Sequence, residues 1–194
     1  FDSVVCAVEA AQEMAGEGAA IIDIVGESTR PGAGAVDAQT EQARVLPVIE
    51  MLAQRSNVLI SVDTYRAQTA RLAIEAGAHI VNDVWGLQKD PEMAAIVAQC
   101  KAITLDPGFG FAKDTDENLE LMARFAELHA LGHPLIAGTS RKRFIGAVSG
   151  RETEDRDIAT AATTAILRLE GAAIFRVHDI AANRDALAMA DAVL

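Results

Sequence analysis

An α/β fold built on parallel strands is what this sequence predicts, and three observations carry the prediction. Short β-branched runs alternate with stretches of helical periodicity along the chain. No run is joined to the next by a hairpin turn, so each strand is followed by a crossover and the pairing is parallel. An aspartate also recurs at or near the ends of the runs: Asp23 in Ile21 to Val25, Asp63 after Val62, Asp83 after Asn82, Asp106 after Leu105 and Asp179 after His178. Any one of them reads equally well as a helix N-cap. Together, at matching ends, they suit the mouth of a parallel (β/α)8 TIM barrel, where side chains from several strands build one site.

Taken in order, Val5, Val8, Ala11 and Met14 recur at helical spacing, so residues 2–16 are predicted to form an amphipathic helix ended by Gly16 and Gly18. The first strand starts at Ala19 and leads into a loop rich in hydroxyls and glycine. A helix is expected over 37–54, with Val45, Val48, Ile49 and Leu52 on one face, and a strand over 58–63. A helix over 67–76, broken by Gly77, precedes a strand over 79–83. Pro91 suits the first turn of a helix reaching Ala98, with Asp90 as its N-cap. Beyond Asp106, helices are expected over 117–130, 155–169 and 182–193, and strands over 134–138 and 173–178.

Two places break the rhythm. The chain opens on a helix where a barrel has a strand, so the amino end is expected to be missing. At Cys100–Lys101 a helical run passes into Ala102 to Leu105 with no breaker, whereas Gly18, Gly77, Gly132 and Gly171 each precede a strand. A seam is expected there, with residues absent between 100 and 101. The whole of 1–194 is otherwise read as one domain.

Composition narrows the function classes. With 51% hydrophobic residues in 194, the chain can bury one substantial core. A formal net charge of −11 leaves no basic stripe for nucleic acid. No apolar run is long enough to span a bilayer, and the start carries no signal-peptide pattern. Cys6 and Cys100 have no metal-ligand spacing and read as reduced thiols, which fits a cytoplasmic setting.

No P-loop pattern is present, and Gly108 with Gly110 is only the start of a dinucleotide-type signature. Two stretches are better candidates for holding an anion. Gly138-Thr139-Ser140-Arg141-Lys142 is a basic turn rich in donors, and in Arg176-Val177-His178-Asp179 alternation places Arg176 and His178 on one side of the strand. The first also reads as a solvated turn, the second as a pair of structural side chains.

Taken together, these stretches closely resemble the dihydropteroate synthase family. Asp23 to Gly32 matches its Asp-x-Gly-Gly-Glu-Ser-Thr-Arg-Pro-Gly element except at Val25. Ser61-Val62-Asp63-Thr64, Asn82-Asp83, Asp106 to Phe111 with Lys113 following, Gly138 to Gly146, and Arg176 to Asp179 match further elements in order. The family's first strand and mobile first loop have no counterpart before Phe1, and its fifth strand, with a Met-His, is absent at the seam. A (β/α)8 barrel lacking its first and fifth strands is therefore the expected fold.

The resemblance implies that 4-aminobenzoate is joined to a dihydropterin methyl diphosphate, giving dihydropteroate and diphosphate. It assigns Asp23, Asp63, Asn82, Asp106, Gly138, Lys142 and Arg176 to the pterin. Arg30, Arg176 and His178 face the diphosphate, and Thr29, Pro31, Phe111 and Ser140 the aminobenzoate. Mg²⁺ is the implied cofactor, but the family's Asn ligand lies before Phe1, so no metal residue is named. A homodimer is implied as well. A folate-dependent corrinoid methyltransferase would share the Asp and Asn contacts yet has no use for the diphosphate clamp. A non-catalytic pterin-binding paralogue is the other alternative, to which the departures at Val25 and Thr139 leave room.

Overall fold

The structure, a computed structural model, describes residues 3–27, 34, 36–83, 85, 87–98, 105–111 and 113–194. They fall into two compact units, residues 1–102 and 103–194. The expected seam at Cys100–Lys101 lies outside the described residues.

In the first unit α1 (Val4–Gly16) is capped by Ser3, whose hydroxyl accepts from the Cys6 N–H. Strands β1 (Ile21–Val25), β2 (Leu59–Asp63) and β3 (Ile80–Asn82) form one parallel sheet in that order. The register pairs Asp23 with Ser61, Val25 with Asp63 and Asp63 with Asn82. Alternation then sorts the side chains. Ile22, Ile60 and Val62 pack with Val8, Ala11, Val45, Val48, Ile49 and Leu52 from α1 and α2 (Ala38–Arg55) in one apolar cluster. Asp23, Ser61, Asp63 and Asn82 share the opposite face. That second face of β2 is also shielded, for Ser61 is 3% and Asp63 7% exposed.

Helix α3 (Ala67–Glu75) packs Ala67 and Ala70 against Met93 and Val97 of α4 (Met93–Val97). Here one expectation is corrected. Asp90 is not the N-cap of the following helix, which starts at Met93 after Glu92. Its carboxylate accepts from the Glu92 N–H at 3.0 Å and from the Ala67 N–H at 2.8 Å. Arg66, at the N-cap position of α3, makes no side-chain capping bond, so Asp90 satisfies the orphan donor from another loop.

In the second unit Leu105 bridges Leu135 in parallel, and β4 (Ile136–Ala137) pairs in parallel with β5 (Ile174–Phe175). Both strands are shorter than the sequence suggests. The expected helix over 117–130 is α5 (Thr115–Ala123) followed by a 3₁₀ turn at Phe125–Leu131. A capping box between Asp114 and Glu117 fixes its start. Between the basic turn and α7 (Asp157–Leu169) lies a helix the sequence reading did not anticipate, α6 (Arg143–Ser149), ended by Gly150 in the left-handed region. Helix α8 (Ile180–Asp191) follows β5, with Asp179 as its N-cap. Phe109, Phe125, Phe144, Leu135 and Leu167 form the core of this unit.

Removing the cap that Asp90 provides should destabilise the fold by about 1 kcal/mol, the usual value for a lost N-cap. Urea unfolding of Asp90→Ala should show the fall, with Asp90→Asn close to the parent. An unchanged midpoint in Asp90→Ala would mean that water replaces the carboxylate at Ala67 without cost.

Candidate active site

Within the first unit the structure brings Asp23 and Asn82 together, the Asn82 amide donating to the Asp23 carboxylate at 3.2 Å. Asp63 lies on the same sheet face, in register with Asn82. Asp83 has a different task from the one its place after a strand suggests: its two oxygens accept from the Trp85 and Leu87 N–H groups, each at 2.9 Å, and hold a turn. Thr29, Arg30 and Pro31 lie outside the described residues.

The same unit holds a partly buried polar cluster, built on Glu41 of α2 and Thr69 of α3, that sequence reasoning missed. Arg66 donates to Glu27 at 2.7 Å, pairs with Glu41 at 3.0 Å and bonds the Val36 carbonyl and the Tyr65 hydroxyl. Tyr65 donates to Glu27, and Thr69 donates to Glu41 at 2.8 Å. Burial pushes the Glu27 carboxyl up, but the Arg66 guanidinium outweighs it and leaves the group below the usual carboxylate range. Arg66 thus ties Glu27 to Val36 across the segment that carries the Ser-Thr-Arg-Pro motif. Its sequence signal was faint, a Tyr-Arg pair following Asp63-Thr64.

The second unit gathers more of the expected residues. The Asp106 carboxylate accepts from the Gly108 N–H at 2.8 Å and from Arg176 at 3.4 Å. Gly138 faces that pair: a Cβ there would stand 3.4 Å from an Arg176 nitrogen and 3.8 Å from Asp106 Oδ2. The alternation argument for Arg176 is corrected in detail, since β5 ends at Phe175, although the Arg176 N–H still bonds the Ala137 carbonyl at 3.0 Å. His178 is oriented otherwise: Ser140 Oγ lies 2.8 Å from its Nδ1 and accepts from its backbone N–H at 3.1 Å. Ser140, expected toward the aminobenzoate, therefore also holds His178.

Arg141 sits between Ser140 and Lys142 at φ 56, a left-handed backbone that a non-glycine residue adopts only when held there. Asp157 grips its guanidinium with two bonds of 2.8 Å, Glu154 adds one of 3.0 Å, and Arg156 bonds its carbonyl at 3.1 Å. The charge at Arg141 is thus spent on Glu154 and on Asp157 at the start of α7.

Lys142 donates to the Phe109 carbonyl and lies 4.5 Å from the Phe111 ring centroid. Burial lowers its amine from 10.5 to about 8; Arg176 and Lys113 push the same way, while Asp106 opposes them. Phe111 reaches it because Gly108 and Gly110 turn the loop through left-handed conformations, at φ 74 and 79.

The pterin binding enzyme family model matches residues 1–104 and 99–178. The dihydropteroate synthase of Bacillus subtilis is 39% identical over 234 aligned residues, covering 100% of this chain and 82% of that protein. That of Streptococcus pyogenes is 38% identical over 231, covering 97% and 87%. A dihydropteroate synthase structure from Clostridium difficile, obtained in the presence of pteroic acid, superposes with a TM-score of 0.94 at 38% identity and covers 100% of this chain and 89% of that one. One from Xanthomonas albilineans with 4-aminobenzoic acid gives 0.93 at 37%, covering 98% and 85%.

The lowered amine of Lys142 has a consequence for stability. The folded chain holds this proton less tightly than the unfolded one, so ionised Lys142 costs stability at pH below about 8. The cost fades as pH rises from there toward 10.5. In urea unfolding at neutral pH, Lys142→Met should therefore be at least as stable as the parent. Its advantage should shrink through that window, and an advantage that grows with pH would contradict the sign.

Proposed function

The chain belongs to the pterin binding enzyme family, among the dihydropteroate synthases, and on that premise we propose that it condenses 4-aminobenzoate with (7,8-dihydropterin-6-yl)methyl diphosphate, releasing diphosphate and forming 7,8-dihydropteroate. The observation that carries this reading is identity of 38–39% to dihydropteroate synthases across nearly the whole chain. Relatives solved with 4-aminobenzoic acid and with 7,8-dihydropteroate support the choice of substrates.

The pterin presents donors and acceptors around a flat ring. Asp23, Asp63 and Asn82 from one polar sheet face, and Asp106 and Lys142 from the second unit, are assigned to those edges, with Gly138 leaving room for the ring. The Asp106–Arg176 contact supports giving the guanidinium a place against the pterin plane. Arg30, Arg176 and His178 are assigned to the diphosphate, whose charge grows as the C–O bond breaks. The electron-rich ring supports positive charge at the methylene, and the arylamine nitrogen then forms the new C–N bond. Thr29, Pro31, Phe111 and Ser140 are assigned to orienting that amine, and no covalent enzyme intermediate is needed.

Mg²⁺ is the cofactor implied by the resemblance. Among the described residues no group of three or more His, Cys, Asp or Glu side chains is arranged to hold a metal, so no step is assigned to it. We read the fold as the family's (β/α)8 barrel, a single domain that lacks a segment between Cys100 and Lys101. The parallel pairing supports the barrel. The two-part family match, and alignments of 231–234 residues against a chain of 194, support the missing segment. A homodimer and a cytoplasmic setting complete the proposal. Among the described residues no helix is long and apolar enough to cross a membrane.

The test is formation of dihydropteroate from the two substrates, and its absence would remove the reading. Asp106→Asn should lose at least about tenfold in pterin affinity by calorimetry, since a charge-assisted bond contributes roughly 1.5–3 kcal/mol. Arg176→Ala should lower turnover as well as binding, by about 2–4 kcal/mol in the barrier, with His178→Ala less severe. Steady-state kinetics with each substrate varied in turn decides this. A rise confined to the 4-aminobenzoate KM would refute the leaving-group role.

A further inference from the structure

Lys113 is a motif residue for which the reaction above names no task. Its ammonium donates to the carbonyls of Gly108 at 2.9 Å, Pro107 at 3.2 Å and Phe111 at 3.4 Å. An ammonium has three N–H donors, and this loop takes three. The same loop is pinned from α5 by Asn118, which is 1% exposed. Asn118 Oδ1 accepts from the Gly110 N–H at 2.7 Å, and its amide donates to the Asp114 carbonyl at 2.5 Å and the Lys113 carbonyl at 3.3 Å. Lys142 engages the same loop, through the Phe109 carbonyl and the Phe111 ring.

We propose that Lys113 is a positioning residue for the condensation: it holds the Asp106–Phe111 loop in the shape that seats Lys142 against Phe109 and Phe111, without itself touching substrate. The geometry favours this over a substrate-binding role, because its donors are spent on backbone carbonyls. It also favours it over a merely structural one. An apolar side chain would fill space there, whereas three carbonyls on a left-handed double turn ask for a cation with three donors. The charges facing Lys142 are Asp106, before the loop, Arg176, after β5, and Lys113, before α5. A fixed ammonium at Lys113 repels the one at Lys142, so removing it leaves a signature beyond lost packing.

The proposal rests on the pterin-condensing reading, and the experiment separates the two. The Lys142 side-chain resonance is followed by NMR across pH in the parent, Lys113→Met, Lys113→Gln and Lys113→Arg, alongside kinetics with both substrates. In Lys113→Met and Lys113→Gln the Lys142 titration should move up from about 8 toward 10.5. Their kcat/KM should fall by roughly tenfold or more, as for loss of a charge-assisted contact. Lys113→Arg, which keeps charge and donors, should restore both. Lys113→Gln keeps donors for the loop, so the titration can be read even if Lys113→Met fails to fold. The proposal is overturned if the Lys142 titration stays put in the uncharged variants, or if folded Lys113→Arg behaves like Lys113→Met. A parent protein without turnover would count against the condensing reading, while the titration would still decide the placement of Lys113.

Discussion

Period-two alternation in parallel strands is the constraint on which the first unit depends. Ile22, Ile60 and Val62 must meet the helices, so Asp23, Ser61, Asp63 and Asn82 are forced onto the other face. A parallel sheet is ordinarily apolar on both sides, and this one is not. Shifting β1 or β2 by one residue would turn its carboxylate into the apolar cluster, where an unpaired charge is costly. The helical packing therefore fixes which way the polar residues point.

Loops then depend on charge. In the first unit Arg66 bonds the Val36 carbonyl, and in the second Lys113 binds three carbonyls while Arg141 is itself fastened by Asp157 and Glu154. In a sequence with phosphate chemistry in view, such residues look like anion ligands. Their observed partners are carbonyls, carboxylates and a hydroxyl of their own unit.

The alternation of strands and helices was legible because it is a local pattern, and the structure brings Asp106, Gly138 and Arg176, which stand in separate motifs, side by side. Helix α6 escaped notice because only Phe144 and Ile145, adjacent in sequence, are buried in it, which gives no helical period. The break between α5 and the 3₁₀ turn that follows it left no glycine or proline to announce it. Asp90 and Asp179 are both aspartates beside a helix, yet one caps its own helix and the other a helix earlier in the chain. No window of sequence distinguishes them, because the partner of Asp90 is 23 residues away.

That last bond also orders events in time. As the chain is synthesised from its amino end, α3 emerges with its first N–H unsatisfied, and the carboxylate that completes it follows 23 residues later. The helix is fastened from behind, by the connection that leads out of β3. Its first turn can therefore be finished only after the next strand has been laid down.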